Sequence, residues 1–318
     1  MIHRLLNQLH KSGIIGINRR NIDYVSKYNP RHLYPLVDDK LSTKMLAIQA
    51  GITVPELYAV VTITRQARDI HTLLKNHSSF VVKPAQGTGG NGVVIIIGRA
   101  KNGYRTLGGR IMSKEALENH IIEILSGIYS LGGHPDKALF EYTVQLDPFF
   151  RNITYQGMPD IRIIVFLGVP VMSMVRLPTH LSNGKANLHQ GAIGVGIDIA
   201  TGTTTTGVWH NDSITEHPDT GVEIAGMKMP HWKNLLNLSA RCYELTKLGY
   251  QGIDIVFDKE KGPMLLELNA RPGLNIQIAN RAGLLPRLKL VEQMYKTLKS
   301  PEDRISFVLN YFSANIDE

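Results

Sequence analysis

The nine residues Leu265-Leu266-Glu267-Leu268-Asn269-Ala270-Arg271-Pro272-Gly273 constrain the fold more than any other part of the chain. An apolar run ends there with an acid and an amide two positions apart, and Pro272-Gly273 stops it. Side chains alternate across a strand, so Glu267 and Asn269 must share one face while Leu266 and Leu268 turn to the core. Two oxygen-bearing side chains on one face suit a hard cation such as Mg2+. A second apolar run, Gly252-Ile253-Asp254-Ile255-Val256-Phe257, lies just upstream and is joined to the first through Lys259-Glu260-Lys261-Gly262. The two runs predict a hairpin whose adjacent strands carry Asp254, Glu267 and Asn269, the candidate metal ligands.

A glycine-rich segment is the second constraint. Phe80-Val81-Val82-Lys83-Pro84 reads as a strand and Val93 to Ile97 as its return, with Gly87, Gly89, Gly90 and Gly92 between them. Glycine lets backbone N–H groups approach a phosphate closely. The spacing does not match GxxxxGK[ST], and β residues resume after Gly92, which removes the strand-to-helix context of a dinucleotide fingerprint. Two readings stand: a flap over triphosphate with Lys83 pairing to phosphate oxygens, or an ordinary glycine-rich hairpin. Lys44 is in the same position, either a second phosphate cation from a preceding helix or a solvated helix lysine.

The remaining pattern is α+β. Helices are predicted over Ile2 to Gly13, from Asp38-Asp39 to Gly51, over Thr64 to Leu74, from the cap Ser113 to about residue 128, over Trp232 to Leu248, over Asn275 to Gly283 and over Leu284 to Leu298. Ala138 to Tyr142 reads as a strand, and Ile161 to Phe166 with Val169 to Arg176 as a hairpin turning at Leu167-Gly168. Residues 100–112 read as an exposed insertion, Thr201 to Gly226 as a hairpin or lid, and the segment from Ser300 as a docked or loose tail. Arg162 follows Asp160 at same-face spacing, so it is either a local ion-pair partner or a ligand for phosphoryl oxygens. Arg176 ends another apolar strand and can point into the same cleft. Asn187 and His189 share a face if their segment is extended.

Composition excludes several functions. The chain has 318 residues and a formal net charge of +8, but no run of five like charges and no basic stripe interleaved with aromatics, which disfavours nucleic acid. No apolar stretch is long enough to cross a bilayer, so no membrane insertion is expected. The lone Cys242 cannot form an internal disulfide and sits in an apolar helical context, which makes the reducing cytoplasm the expected location and Cys242 inert. The histidines define no tetrahedral zinc set.

In their order and separation these segments resemble the ATP-grasp superfamily, and within it the alpha-L-glutamate ligase-like proteins related to ribosomal-protein S6 glutamate ligases. The resemblance rests on Asp39-Lys40 with Lys44, Val82-Lys83-Pro84 and its glycine loop, Phe140-Glu141-Tyr142, Asp160-Ile161-Arg162, Asn187 to Gly191, Gly252-Ile253-Asp254, and Glu267 to Gly273. It implies an ATP-grasp fold of two α+β lobes closing on ATP, here with a shortened N-terminal segment. The implied division is 1–37 as that segment, 38–140 as the small lobe with its flap, 141–298 as the large lobe with the metal site, and 299–318 as a C-terminal tail.

By the same resemblance, Lys44 and Lys83 contact ATP phosphates under a flap formed by Gly87, Gly89, Gly90 and Gly92. Glu141 and Tyr142 form the adenine hinge, with Asp160, Arg162, Arg176, Asn187 and His189 near the nucleotide. Arg162, Arg271 and Lys83 orient the reacting groups, and Asp254, Glu267 and Asn269 hold two Mg2+ ions, for which Mn2+ is an alternative. The implied activity is an ATP-dependent carboxylate–amine ligase that forms an amide through an acyl phosphate, with glutamate as a candidate substrate. Its implied partners are small-molecule or peptide carboxylates and amines, a protein that completes the acceptor surface, and a second copy in a homodimer. A non-catalytic ATP-binding assembly or sensing protein, and a phosphotransferase at the same Mg·ATP site, are the alternative classes.

Overall fold

The computed structural model of the protein describes residues 12–87 and 89–312. The chain divides into two compact units: a smaller one of Asp39–Met45 and Val54–Gln145, and a larger one of Leu46–Thr53 and the described parts of Met1–Asp38 and Leu146–Glu318. The helix expected over Ile2 to Gly13 lies outside the described residues, apart from Ser12 and Gly13.

The smaller unit is an antiparallel sheet in the order β1-β6-β2-β3-β4-β5. Its strands are β1 (Leu57–Val61), β2 (Phe80–Pro84), β3 (Val94–Ala100), β4 (Gly103–Thr106), β5 (Ile111–Ser113) and β6 (Ala138–Glu141). Helix α1 (Lys40–Gln49), of which the residues up to Met45 belong to this unit, starts under Asp39, whose Oδ1 accepts from the N–H groups of Leu41 and Ser42 at 2.8 and 3.1 Å. Helix α2 is Thr64–Leu73, and α3 is Lys114–Leu125, where the Ser113 hydroxyl accepts from Ala116 N at 3.1 Å. Ala67 and Ile70 of α2, and Leu117, Ile121 and Ile124 of α3, recur at helical spacing and join Phe80, Val82, Ala138 and Phe140 in one core. Strand alternation turns Lys83, Leu139 and Glu141 to the opposite face, where the register sets Lys83 across from Leu139 and Val81 across from Glu141.

Residues 100–112, expected as an exposed insertion, are mostly exposed, but they join the sheet by supplying β4 and most of β5. Tyr104, only 1% exposed, packs edge-on against Phe80 at 5.3 Å, so burial of a large ring draws the segment into the sheet.

The larger unit holds a second antiparallel sheet, ordered β11-β10-β9-β8-β7-β12-β13. Its strands are β7 (Asp160–Phe166), β8 (Val169–Leu177), β9 (Ile193–Ile197), β10 (Thr204–Trp209), β11 (Asp212–Ile214), β12 (Tyr250–Asp258) and β13 (Gly262–Asn269). The β7–β8 hairpin turns through Leu167 and Gly168, both at positive φ (48° and 82°), the geometry that matches strand twist. The 201–226 region resolves as the β10–β11 hairpin on the sheet edge, followed by irregular chain. Around this sheet lie α4 (Trp232–Thr246), α5 (Asn275–Asn280), α6 (Leu285–Met294) and α7 (Pro301–Tyr311).

The segment after Ser300 is a docked helix. A reciprocal cap between Ser300 and Asp303 starts α7, and it buries Arg304, Phe307 and Val308 while packing on α4 and β8. At the other end of the described chain, the Asn29 amide donates to Tyr250 O (2.6 Å) and Ala270 O (2.9 Å) and accepts from Tyr250 N (2.8 Å). One buried side chain thereby ties the start of β12 to the residue that follows β13. Asn29→Ala leaves three buried backbone groups without partners and is expected to lower stability by roughly 2–4 kcal/mol, read from the shift of the chemical-denaturation midpoint.

Candidate nucleotide and cation sites

In the smaller unit, β2 carries Lys83, β6 carries Glu141 and α1 carries Lys44 to one place. Lys83 Nζ lies 2.7 Å from Glu141 Oε2, and Lys44 Nζ lies 3.2 Å from Oε1. All three residues are buried, and Oε1 is in ion-pair contact without a hydrogen-bond direction to any donor. Lys44 Nζ also donates to the Pro55 carbonyl. Burial depresses the Lys44 ammonium to about 8, Glu141 opposing the shift and Lys83 adding to it. Because β6 lies between β1 and β2, Glu141 is not an edge-strand charge; it holds two lysines. Tyr142 follows it and gives its backbone N–H to Glu56 O at 2.8 Å.

The glycine loop rises from the end of β2 directly after Lys83-Pro84. A Cβ on Gly87 would fall 2.3 Å from Pro84 Cγ, so no side chain fits there, and Gly89 and Gly90 take φ of +65° and +76° in open surroundings. The base of the loop is anchored by Asp136, which accepts from Gln86 N (2.9 Å), Ser130 Oγ (2.9 Å) and Lys137 N (2.7 Å). Lys40 Nζ donates to Gly87 O, and Lys137 pairs with Asp39 at 2.9 Å. Sequence reading passed over Asp136: it lies in Gly132-Gly133-His134-Pro135-Asp136, a loop by composition, and its Gln86 partner is fifty positions away.

In the larger unit, register brings four charges together. Arg162 on β7 stands opposite Asp254 on β12, and Asp160 on β7 stands opposite Arg176 on β8. Arg162 grips Asp254 through Nε–Oδ1 and through Nη2–Oδ2 (2.5 Å), Arg176 grips Asp160 at 2.5 and 2.6 Å, and Arg176 Nη2 reaches Asp254 Oδ2 at 2.8 Å. The local Asp160–Arg162 pair open to the sequence is thus not formed, because cross-strand neighbours on one face are closer than residues two apart along a strand. Burial pushes the Asp160 carboxyl up to about 6 against the pull of Arg176, with the nearby Asp254 charge adding to the rise. Burial acts on Asp254 in the same sense, but Arg162 and Arg176 outweigh it and hold that carboxylate below its usual range. Desolvation would lower Arg176; Asp160 and Asp254 raise it instead.

Glu267 stands directly across from Asp254, and Asn269 across from Gly252, so the two β13 side chains share the face of the charge network. Glu267 is half-buried, and its side chain makes no hydrogen bond or ion pair among the described residues. Asn269 Oδ1 accepts from Arg271 N at 2.8 Å. Three hydrogen bonds reach the two Asp254 oxygens, so Oδ1 keeps a lone-pair direction. Among the described residues no group of three or more His, Cys, Asp or Glu side chains forms a metal cage. Two carboxylates and one amide nevertheless fit Mg2+, which binds few protein oxygens and completes its octahedron with water and phosphate.

Arg271 lies on the surface, its guanidinium 5.0 Å from the Tyr34 ring centroid and 3.4 Å from Asp38 Oδ2. The turn behind it is held by Arg20, which donates to Pro272 O at 2.7 Å. Asn187 and His189 depart from the extended reading: Leu188–Gln190 is a 3-10 turn, capped by Asn187 Oδ1 on His189 N (3.0 Å), so the two side chains do not alternate on one face. Local capping by an Asx side chain wins over extension there. Cys242 is buried, and burial pushes its thiol up to about 12.

The sequence matches the profile of the sugar-transfer associated ATP-grasp family over residues 19–293. No curated protein matches it. Among solved structures, the ATP-grasp ligase PsnB with its minimal precursor is 13% identical, with 85% of this chain and 63% of that one covered and a TM-score of 0.45. The D-cycloserine synthetase DcsG is 15% identical (86% and 74% covered, TM-score 0.45), and the D-alanine–D-alanine ligase from Bacillus anthracis is 16% identical (86% and 67%, TM-score 0.43). The chain spans 63% of the PsnB chain with minimal precursor and 61% of the one with precursor peptide and AMPPNP. The profile match, which takes in the lysine cluster, the glycine loop, the charge network and the β13 strand end, makes this α+β chain a member of the sugar-transfer associated ATP-grasp family.

Proposed function

We propose that the protein is an ATP-dependent ligase that joins a carboxylate to an amine. The observation that carries this reading is the buried Lys44–Glu141–Lys83 cluster, in which two ammonium groups share one carboxylate beside a glycine loop. Positive charge in excess of its buried counter-charge favours an anionic ligand, and a polyphosphate satisfies both lysines and the loop N–H groups. Tyr142 and the end of β6 would border the adenine.

Glu267, Asn269 and the free direction of Asp254 Oδ1 are proposed to hold Mg2+, which when bound neutralises phosphate charge. Arg162 and Arg176, oriented by Asp254 and Asp160, would hold phosphoryl or acyl-phosphate oxygens, and Arg271 offers a bidentate fork to a substrate carboxylate. A carboxylate oxygen attacks the γ-phosphorus and ADP leaves. The amine nitrogen then attacks the acyl carbon, losing a proton as inorganic phosphate leaves, so each amide formed releases one ADP and one phosphate. Asn187 and His189, in their capped turn, are left out of this scheme. The motif order resembles that of ribosomal-protein S6 glutamate ligases, so glutamate is the first substrate to test, and the family's association with sugar transfer makes amino sugars acceptors to test beside it.

The decisive assay is Mg·ATP-dependent release of ADP and phosphate with pooled amino acids, peptides, amino sugars and hydroxy acids, followed by mass spectrometry. A product equal to donor plus acceptor minus water supports the ligase. A phosphorylated, stable product means a phosphotransferase, and nucleotide binding without turnover in every pool means a non-catalytic ATP-binding protein. Glu267→Ala is expected to lower turnover by about 100-fold or more with the fold retained by circular dichroism; full activity in that variant would remove Glu267 from the site.

Lys44 carries a pH signature. Its folded value of about 8 means the ammonium is present below pH 8 and is lost as pH rises, so ATP affinity should weaken above about pH 8. Lys44→Arg, which keeps its charge, should flatten that profile in a titration of Kd against pH. Stability without nucleotide runs the other way: the folded state prefers the neutral amine, so stability should rise as pH goes from about 8 towards the ordinary lysine value of 10.5.

A further inference from the structure

Both ends of the glycine loop are tied to one stretch of chain that runs from His120 in α3 to Asp136. At the near end, Gly87 bridges to Ser130 and Gln86 N binds Asp136. At the far end, His120 Nε2 lies 3.0 Å from the carbonyl oxygen of Gly92. A carbonyl can only accept, so the imidazole must carry its proton on Nε2, with Nδ1 turned towards Glu123 Oε2 at 3.6 Å.

The Tyr129 ring closes the same bracket. A Cβ on Gly92 would lie 2.6 Å from Tyr129 Cγ, the residue has φ of +73°, and the Tyr129 hydroxyl donates to Glu123 Oε2 at 2.7 Å. The His120 and Tyr129 rings sit 5.5 Å apart. The other half of the Gly92–Val93 peptide is also engaged, Val93 N donating to Gly90 O at 3.4 Å to close a turn. The orientation of one peptide plane therefore sets that turn. Among the described residues, the N–H groups of Gly89, Gly90, Asn91 and Gly92 are left without acceptors.

We propose that His120 is the positioning residue of the loop: by holding the Gly92 carbonyl it aims these free N–H groups at the phosphates of the nucleotide. This rests on the reading of the loop as a phosphate cradle and adds to it a side chain that touches no ligand itself. The role is specific in what it affects. Loop amides meet phosphate only, so losing their aim weakens the triphosphate and leaves the nucleoside untouched.

Calorimetric titration of the full chain with Mg·ATP and with adenosine separates the possibilities. His120→Ala is expected to weaken Mg·ATP by about three- to tenfold, the value of one hydrogen bond, with adenosine affinity unchanged. His120→Gln, which keeps an N–H donor, is expected to recover most of the loss. Unchanged ATP affinity in His120→Ala, or equal losses for ATP and adenosine, overturns the proposal and assigns His120 to general packing. Should His120→Ala fail to fold, Tyr129→Leu opens the same bracket from the other side, and unchanged ATP affinity there overturns it equally. A wild-type chain that binds no Mg·ATP overturns the phosphate-cradle reading itself, and the two failures are told apart by that control.

Discussion

Charges survive inside both sheets because their counter-charges arrive on the same face from a neighbouring strand or helix. Taking an ammonium or carboxylate out of water costs several kcal/mol unless it is paired and hydrogen-bonded. Strand alternation puts Lys83 and Glu141 on the face away from the Phe80–Phe140 core, and Asp160, Arg162, Arg176, Asp254 and Glu267 on one face of the second sheet. Without these registers each charge would be a folding defect. With them, the charges become chemically defined groups.

The two clusters are balanced differently, and the difference bears on what each can do. The network of Asp160, Arg162, Arg176 and Asp254 has two charges of each sign and five hydrogen bonds, so it is self-sufficient and rigid. The lysine cluster has two cations and one anion, and one oxygen of that anion has no hydrogen-bond donor. A neutral network orients its members; a cluster with excess charge invites a ligand. Glu267, beside the network but outside it, is a carboxylate with no partner among the described residues, which suits an oxygen-ligated cation.

Local patterns were legible where they were strong. Ser113 capped a helix, Leu167-Gly168 turned a hairpin, and the glycine loop ran from strand to strand, all as their sequences predict. Failures came where tertiary burial or a short polar cap overrode composition. Residues 100–112 read as an exposed insertion and are mostly exposed, yet Tyr104 is buried and the segment joins the sheet as strands. Asn187-Leu188-His189 alternates like a strand, yet the Asn187 side chain closed a turn on itself.

The sequence by itself determined the same-face placement of Glu267 with Asn269 and of Asp160 with Arg162, because a period of two needs only a strand to be true. It also determined membership in the ATP-grasp family, since the profile match depends on residue order alone. Only the tertiary structure decided which acid each arginine grips, that Glu141 serves two lysines rather than an edge, and that Asp136, Asn29 and His120 brace segments far from them in the chain. Those choices depend on register between strands and on the arrival of distant segments, and no local periodicity encodes either one.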